Sequence, residues 1–216
     1  MPTLIVIEDI KLKEVLTSSQ DSMSAKELEI LIATIQEGDV RQYSVIVKAF
    51  QQPIYRYCCR LLANKQDAED AVQDILVKAY QTLHLYKRAE HFSAWLYRMA
   101  YHHCLNLLRK RRLHNRVMRI IRLETLSASP AQEIDNGWYT PSLARALTML
   151  SPEERSLLIL RVFEEQSYTE MSEIFKIRPN ALIKRMKRIK RKVQKAMNSE
   201  EEIDWSEQQL NVNTKI

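Results

Sequence analysis

Glycine is nearly absent from this chain, and its scarcity limits the folds that the chain can adopt. Only 2 of the 216 residues are glycine. Phosphate-binding loops and dinucleotide-binding turns each need several glycines within one turn, so the sequence excludes both. An all-β fold is disfavoured as well, because its tight turns depend on glycine and similar turn residues. The sequence therefore predicts an all-α protein.

The three cysteines indicate a reducing compartment. Cys58, Cys59 and Cys104 are odd in number and lie within apolar helical patterns, so we interpret them as small core side chains of a cytoplasmic protein. No apolar run reaches transmembrane length, and we expect no membrane insertion. We find no spacing of metal ligands and no pairing of nucleophile with base, so we expect no metal, no cofactor and no enzyme activity.

Helix starts are marked by three capping boxes, in which Ser is followed three residues later by Glu. The boxes lie at 24–27, 151–154 and 167–170. Apolar residues recurring every three or four positions predict further helices. One begins after Asp39 and contains Pro53, the next extends from about Gln66 to Leu85, and another begins at Phe92.

Charge is concentrated in two basic blocks. Residues 23–112 carry 14 basic and 9 acidic side chains, and residues 141–197 carry 13 and 6. The intervening segment is neutral and contains Ser-Ala-Ser-Pro and Asn-Gly, a linker composition. We predict two small helical domains that face nucleic acid and are joined by a flexible linker. The predicted boundaries are an N-terminal tail at 1–24, a first domain at 25–112, a linker at 113–141, a second domain at 142–197 and an acidic tail at 198–216.

The most basic stretch, residues 176–195, holds ten Lys or Arg and no acidic residue. Leu182, Met186, Ile189 and Val193 draw one apolar stripe along it, which leaves the cations on the remaining surface of a helix. A short helix precedes it, and the two are separated by a tight break at Lys176, where glycine is usual. This arrangement predicts a helix-turn-helix whose second helix enters the major groove.

Helical spacing selects the side chains of this second helix that can reach DNA. With the apolar stripe facing inward, the predicted contacts are Arg178, Asn180, Ile183, Lys184, Lys187, Arg188 and Arg191. Arg188 can hold a guanine with two hydrogen bonds, and Ile183 can pack against a thymine methyl. Lys190, Arg191 and Lys195 lie further along the helix and are expected to contact phosphates.

In the first domain, the start of the third helix and the exposed side of the fourth helix could each serve either the fold or a binding partner. The third helix opens with acidic and amide residues, which favour a helix N-terminus and could also dock a basic partner. They are Asp67, Glu69, Asp70, Gln73 and Asp74. The fourth helix carries Tyr97, Arg98, His102 and Asn106 and ends in four basic residues, which could stack on bases and neutralise phosphates. Core packing is the alternative for Tyr97 and Trp95.

These stretches resemble a known family. The segments DAEDAVQDILVKAY (67–80) and FSAWLYRMAYHHCLNLLRKRR (92–112) are similar to region 2 of the sigma-70 family. The segment LSPEERSLLILRVFEEQSYTEMSEIFKIRPNALIKRMKRIKRK (150–192) is similar to region 4. With only a short linker between the two regions, the chain resembles an extracytoplasmic-function (ECF) sigma factor.

The resemblance implies partners and roles. The chain would bind the β and β′ subunits of core RNA polymerase, with the third helix against the clamp helices, and would bind promoter DNA. An anti-sigma factor is a further possible partner. Region 4 would read the −35 element. Region 2 would melt and read the −10 element through the 86–91 loop and the fourth helix, with the contacts Lys87, Arg88, His91, Arg98, His102, Asn106, Arg109 and Arg112.

A second function stays open at this point, a helix-turn-helix repressor or activator that never joins polymerase. The first domain argues against it, because such a regulator has no need of the acidic third helix followed by an aromatic and basic helix. Under the sigma factor interpretation, we expect the isolated chain to bind promoters poorly. The flexible linker would leave the spacing of the two domains unset until polymerase fixes it.

Overall fold

The computed structural model describes residues 23–88, 91–121 and 139–212, and side chains are described outside 119–121 and 199–212. Every regular element among these residues is helical, which confirms the all-α prediction. The helices are α1 Ala25–Gln36, α2 Tyr43–Leu62, α3 Lys65–Thr82, α4 Phe92–Ile121, α5 Pro141–Thr148, α6 Pro152–Val162, α7 Tyr168–Phe175 and α8 Pro179–Val212. Short 3-10 turns at Val40–Gln42 and Leu83–Leu85 precede α2 and follow α3.

All three predicted capping boxes form. In each, the Ser hydroxyl accepts the backbone N–H of the Glu and the carboxylate accepts the N–H of the Ser. Asn64 caps α3 in a similar way, accepting the N–H of Asp67 at 2.9 Å. The sequence offers Asp39 as a cap for the second helix, but its side chain makes no cap hydrogen bond. The 3-10 turn Val40–Gln42 separates it from α2 and moves it away from the helix end.

Helices α1–α4 enclose one apolar core, and α5–α8 contribute to another. The division between them is not a clean boundary. Ile159 and Leu160 of α6 and Ile174 of α7 belong to the core of the first domain, whereas Leu157 and Leu158 of α6 belong to that of the second. Helix α6 is therefore apolar on two sides because it packs between both domains.

The two domains are in direct contact in the described residues. This differs from the expectation that their spacing is unset in the isolated chain, because apolar and polar side chains of α6 and α7 pack against α2 and α4. The tail at 1–22 and the linker residues 122–138 lie outside the described residues.

Three helix ends differ from the sequence-based boundaries. Helix α3 ends at Thr82 and gives way to the 3-10 turn, helix α4 continues to Ile121, and helix α8 continues to Val212 although no apolar stripe extends so far. The apolar spacing of the third helix predicts Tyr80 on its core face, but Tyr80 is 42% exposed. Its ring packs against Tyr43 at a centroid distance of 5.0 Å, at the surface rather than inside.

Candidate nucleic-acid and polymerase interfaces

Helix α8 presents its cations outward as predicted. Leu182, Met186, Ile189 and Val193 are all buried against the second-domain core. Of the predicted −35 contacts, six are exposed and Ile183 is half-buried. The exposed six are Arg178, Asn180, Lys184, Lys187, Arg188 and Arg191. The result is a helix fixed along one side and cationic on the others, which suits a groove lined by phosphates.

The break before α8 is made by a residue in the left-handed region. Lys176 has φ 55° and ψ 39°, at the position where glycine is usual. Pro179 then occupies the first turn of α8, where its missing N–H leaves no helical bond unmade. Lys192 donates to Glu154 at 2.6 Å and ties α8 to α6. These contacts set the angle at which the start of α8 is presented.

Helix α3 exposes one continuous stripe. Asp70, Gln73, Val77 and Tyr80 follow each other at spacings of three, four and three residues, and all are exposed. Val77 is 56% exposed. Sequence reasoning found the acidic part of this stripe and missed Val77 and Tyr80, since periodicity alone does not distinguish an exposed apolar residue from a buried one.

The acidic residues of α3 have different surroundings. Asp67 forms an ion pair with Arg111 of α4, and Arg111 also donates to the carbonyl of Leu62 at 3.2 Å. Asp74 lies 3.9 Å from His103. Glu69, Asp70 and Gln73 are exposed. Asp67 therefore joins helices within the first domain, whereas the exposed residues are available to a partner.

The residues predicted to contact the −10 element define the −10 face, and most of them are exposed. Lys87, Arg88, His91, His102, Asn106, Arg109 and Arg112 are exposed, and Arg98 is half-buried. Burial lowers the pKa of His102, and the nearby charges of Arg98, Arg109 and Lys78 lower it further. His102 is therefore neutral at pH 7 and offers a hydrogen-bonding ring among permanent cations.

The second domain covers part of this −10 face. Tyr97 was expected on the free surface of α4, but it is 4% exposed, and its hydroxyl donates to Glu164 at 3.1 Å. Arg60 lies 2.6 Å from the same carboxylate and Arg56 lies 3.7 Å from it. Burial raises the pKa of Glu164 even though both guanidinium groups act to lower it. A buried carboxylate of one domain thus meets two cations of the other.

Glu173 makes a second acidic contact, at the N-terminus of α4. Its carboxylate accepts the backbone N–H of His91 at 2.9 Å and lies 2.8 Å from the His91 ring Nδ1. Arg98 donates to the Glu173 carbonyl at 3.2 Å. The hydrogen bond and charge of Glu173 raise the pKa of His91. Next to this contact, the rings of Tyr101 and Phe175 meet edge to face at 4.9 Å.

Within the parts of the chain described, no group of three His, Cys, Asp or Glu side chains is placed to hold a metal ion. The same residues include no helix that is both long and apolar enough to cross a bilayer. The three cysteines are free thiols buried in the first domain, with the sulfurs of Cys58 and Cys104 at 3.6 Å.

Comparison with known proteins gives the family. Residues 46–114 match Sigma-70 region 2, and residues 141–193 match Sigma-70 region 4. The sigma factor YlaC of Bacillus subtilis is 30% identical over 133 residues, which cover 60% of this chain and 76% of that protein. The ECF sigma factor SigW of the same organism is 26% identical over 156 residues, covering 68% and 83%. The fold matches the sigma factor RpoE of Bartonella quintana, solved with the anti-sigma factor NepR, with a TM-score of 0.58 and 21% identity over 73% of this chain and 98% of that one.

A basic helix-turn-helix domain beside a helical domain with an acidic α3 and a cationic α4 is the arrangement of a promoter-specificity subunit, and the chain belongs to the ECF sigma factors of the sigma-70 family. It binds core RNA polymerase and directs initiation at promoters through their −10 and −35 elements. The alternative, a DNA-binding regulator that never joins polymerase, is set aside by the match to region 2.

Proposed function

We propose that each of the three surfaces has one task in the initiation complex. The exposed stripe on α3 docks on core polymerase, the face of α4 opens and reads the −10 element, and the exposed cations of α8 read the −35 element. The chain acts by binding and performs no catalysis, and its place of action is the cytoplasm, where its polymerase partner works. The domain boundaries near 25–112 and 142–197 follow from this division.

The α3 stripe supports the docking role through its composition. Asp70 and Gln73 supply polar contacts, and Val77 and Tyr80 supply exposed apolar area next to them. A polar and apolar mixture on one rigid helix is typical of protein interfaces, in which exposed aromatic residues provide much of the contact energy. Asp67 holds α3 against α4 through its ion pair with Arg111, and Asp74 is exposed beside the stripe.

The face of α4 supports the −10 role through its combination of groups. Arg98, Arg109 and Arg112 can neutralise phosphates, and His102 and Asn106 can hydrogen-bond to unpaired base edges. Opening a duplex requires extruding bases from the stack at a cost of a few kcal/mol, which contacts of this kind must offset. Lys87, Arg88 and His91 lie just before α4 and extend the surface along the strand.

The single observation that carries the proposal is the difference between the exposed surfaces of two helices. Helix α8 is cationic around its exposed surface, whereas α3 exposes an acidic and apolar stripe. The test is reconstitution with core polymerase on a library of randomised promoters. We expect selection of two short elements at fixed spacing, recovered only when core enzyme is present. Selection of both elements at the same fixed spacing by the chain alone would contradict the proposal.

An anti-sigma factor is proposed as a further partner, because the matching fold of RpoE was solved bound to one. Co-purification of a partner with the tagged chain from its own cells, followed by loss of transcription when that partner is added to reconstituted enzyme, tests this assignment.

A further inference from the structure

Two acidic residues of the second domain meet cationic groups of the first: Glu164 pairs with Arg56 and Arg60 of α2, and Glu173 contacts His91 at the start of α4. Glu164 lies in the turn between α6 and α7, and Glu173 lies on α7. We infer that the docked arrangement is an autoinhibited state, in which these two carboxylates occupy positions that promoter phosphates take when DNA binds. This inference rests on the proposed −10 role of α4, and it adds Arg56 and Arg60 of α2 to the DNA-binding surface.

The Glu164 side chain is buried, although Glu164 lies in a turn. Its side chain is 2% exposed, and one carboxylate receives Arg60 at 2.6 Å, Tyr97 at 3.1 Å and Arg56 at 3.7 Å. The next residue, Glu165, adopts φ 51°, a left-handed conformation that a residue with a Cβ rarely takes. Two guanidinium groups around one anion form the chemistry that also binds a phosphate.

Glu173 occupies a second anion position. The backbone N–H of His91 begins the N-terminal end of α4, where unpaired N–H groups and the helix dipole favour negative charge. In the docked form a carboxylate from the other domain satisfies that N–H at 2.9 Å. The Arg98 guanidinium donates to the backbone carbonyl oxygen of Glu173 at 3.2 Å. Both groups are thereby withdrawn from DNA.

Docking covers only the part of the −10 face around Arg98 and leaves the cations of α8 exposed. Tyr97 is buried, Arg98 is half-buried and Tyr101 packs on Phe175, whereas the cations of α8 are open to solvent. The free chain should therefore still bind duplex DNA through α8, while single-stranded DNA must compete with the second domain for α4. The block is selective because only one of the two DNA-binding surfaces lies in the contact.

The test compares two neighbouring charge reversals in the full chain, Glu164→Lys and Glu165→Lys. Each adds the same charge, so each increases non-specific attraction to DNA equally, but Glu165 is exposed and lies outside the contact. We expect Glu164→Lys alone to increase the radius of gyration in X-ray solution scattering. It should also bind short single-stranded oligonucleotides of random sequence about tenfold more tightly than Glu165→Lys, as expected if the open form is about a tenth of the wild-type population.

Equal oligonucleotide affinity of the two variants would overturn the inference, as would equal radii of gyration. If Glu164→Lys loses its helical circular dichroism, Glu164→Gln against Glu165→Gln makes the same comparison with a smaller change. The double variant Arg60→Glu with Glu164→Arg restores opposite charges and should recover the wild-type radius. Failure of the wild-type chain to direct core polymerase would instead overturn the proposed function, and the difference in radius between variants would stand.

Discussion

The turn between α7 and α8 depends on one lysine in an unfavourable conformation. Lys176 lies at φ 55° with a Cβ atom that crowds the following carbonyl, which costs about 1 kcal/mol relative to glycine. The chain keeps the helix-turn-helix because capping of α7 and burial of the α8 stripe stabilise both flanking helices. The conformation at Lys176 is thus imposed by its neighbours.

Lys176→Gly should therefore stabilise the protein. We expect about 1 kcal/mol, or about 2–4 °C in the melting temperature for a chain of this size, measured by thermal circular dichroism. Lys190→Gly is the matched control, because Lys190 is an exposed lysine inside α8, where glycine costs about 1 kcal/mol. An unchanged or lower melting temperature for Lys176→Gly would show that the lysine side chain contributes more than its backbone loses.

Helix α3 assigns different tasks to acidic residues that look alike in the sequence. Asp70→Lys should weaken binding to core polymerase about tenfold or more without changing the melting temperature, because the Asp70 side chain is exposed. Asp67→Ala should instead lower the stability of the chain, by about 1 kcal/mol, because the ion pair with Arg111 is lost. Binding is measured by fluorescence titration of core enzyme. Equal affinities for wild type and Asp70→Lys would remove α3 from the polymerase interface.

We propose that the first turns of helix α8 contact bases and that its later turns contact phosphates. Arg188→Ala should relax preference at one −35 base pair by about 1–3 kcal/mol, since a guanine would lose two hydrogen bonds. Lys195→Ala should weaken binding evenly and reduce the salt slope by about one unit. Selection of −35 sequences with each mutant holoenzyme measures both effects. If Lys195→Ala alters a single position while Arg188→Ala leaves the motif unchanged, the helix lies in the groove in another orientation.

Local signals predicted the helices well. The three Ser and Glu pairs and the apolar stripe of α8 are encoded within a few residues of each other, so periodicity and capping chemistry found them. Contacts between the domains are not local. The Tyr57 and Ser156 hydroxyls lie 2.7 Å apart across 99 positions of sequence, and Glu164 meets Arg60 across 104. Sequence patterns show which face of a helix is apolar, but they do not identify the helix that packs against that face.

One sequence signal did carry information about docking. Leu157 to Leu160 is an unbroken apolar run in a helix of only 11 residues, Pro152–Val162. A helix at a domain surface needs apolar residues on one side, so apolar residues on two sides indicate neighbours on both. Tyr97 was similarly ambiguous, because a tyrosine beside arginines suits both a DNA surface and a polar domain contact.

At the scale of the whole molecule, docking should depend on pH. Glu173 raises the pKa of His91 above its ordinary 6.5, and Glu170 and Glu29 also act on this ring. The docked form therefore holds the proton more tightly. The contribution of protonated His91 to docking is therefore fully present below pH 6.5, and it is lost as the pH rises through the raised pKa of His91.

Solution scattering of the free chain between about pH 6 and pH 9 measures this dependence, in the range where histidine titrates. We expect the radius of gyration to increase with pH for the wild type. His91→Gln, which keeps a polar side chain and removes the titration, should show a smaller change over the same range. A wild-type radius that is constant with pH would mean that the His91 contact contributes nothing to docking.

Helix α6 also determines how the molecule comes apart when heated. Since Ile159 and Leu160 complete the interior of one domain and Leu157 and Leu158 complete that of the other, α6 cannot melt without exposing both. The free chain should show a single cooperative endotherm in scanning calorimetry, although it contains two domains. In a chain opened by Glu164→Lys, this endotherm should divide into two. The energetic coupling of the two domains would then be a property of the free chain, and it would be lost when the chain assembles with core polymerase.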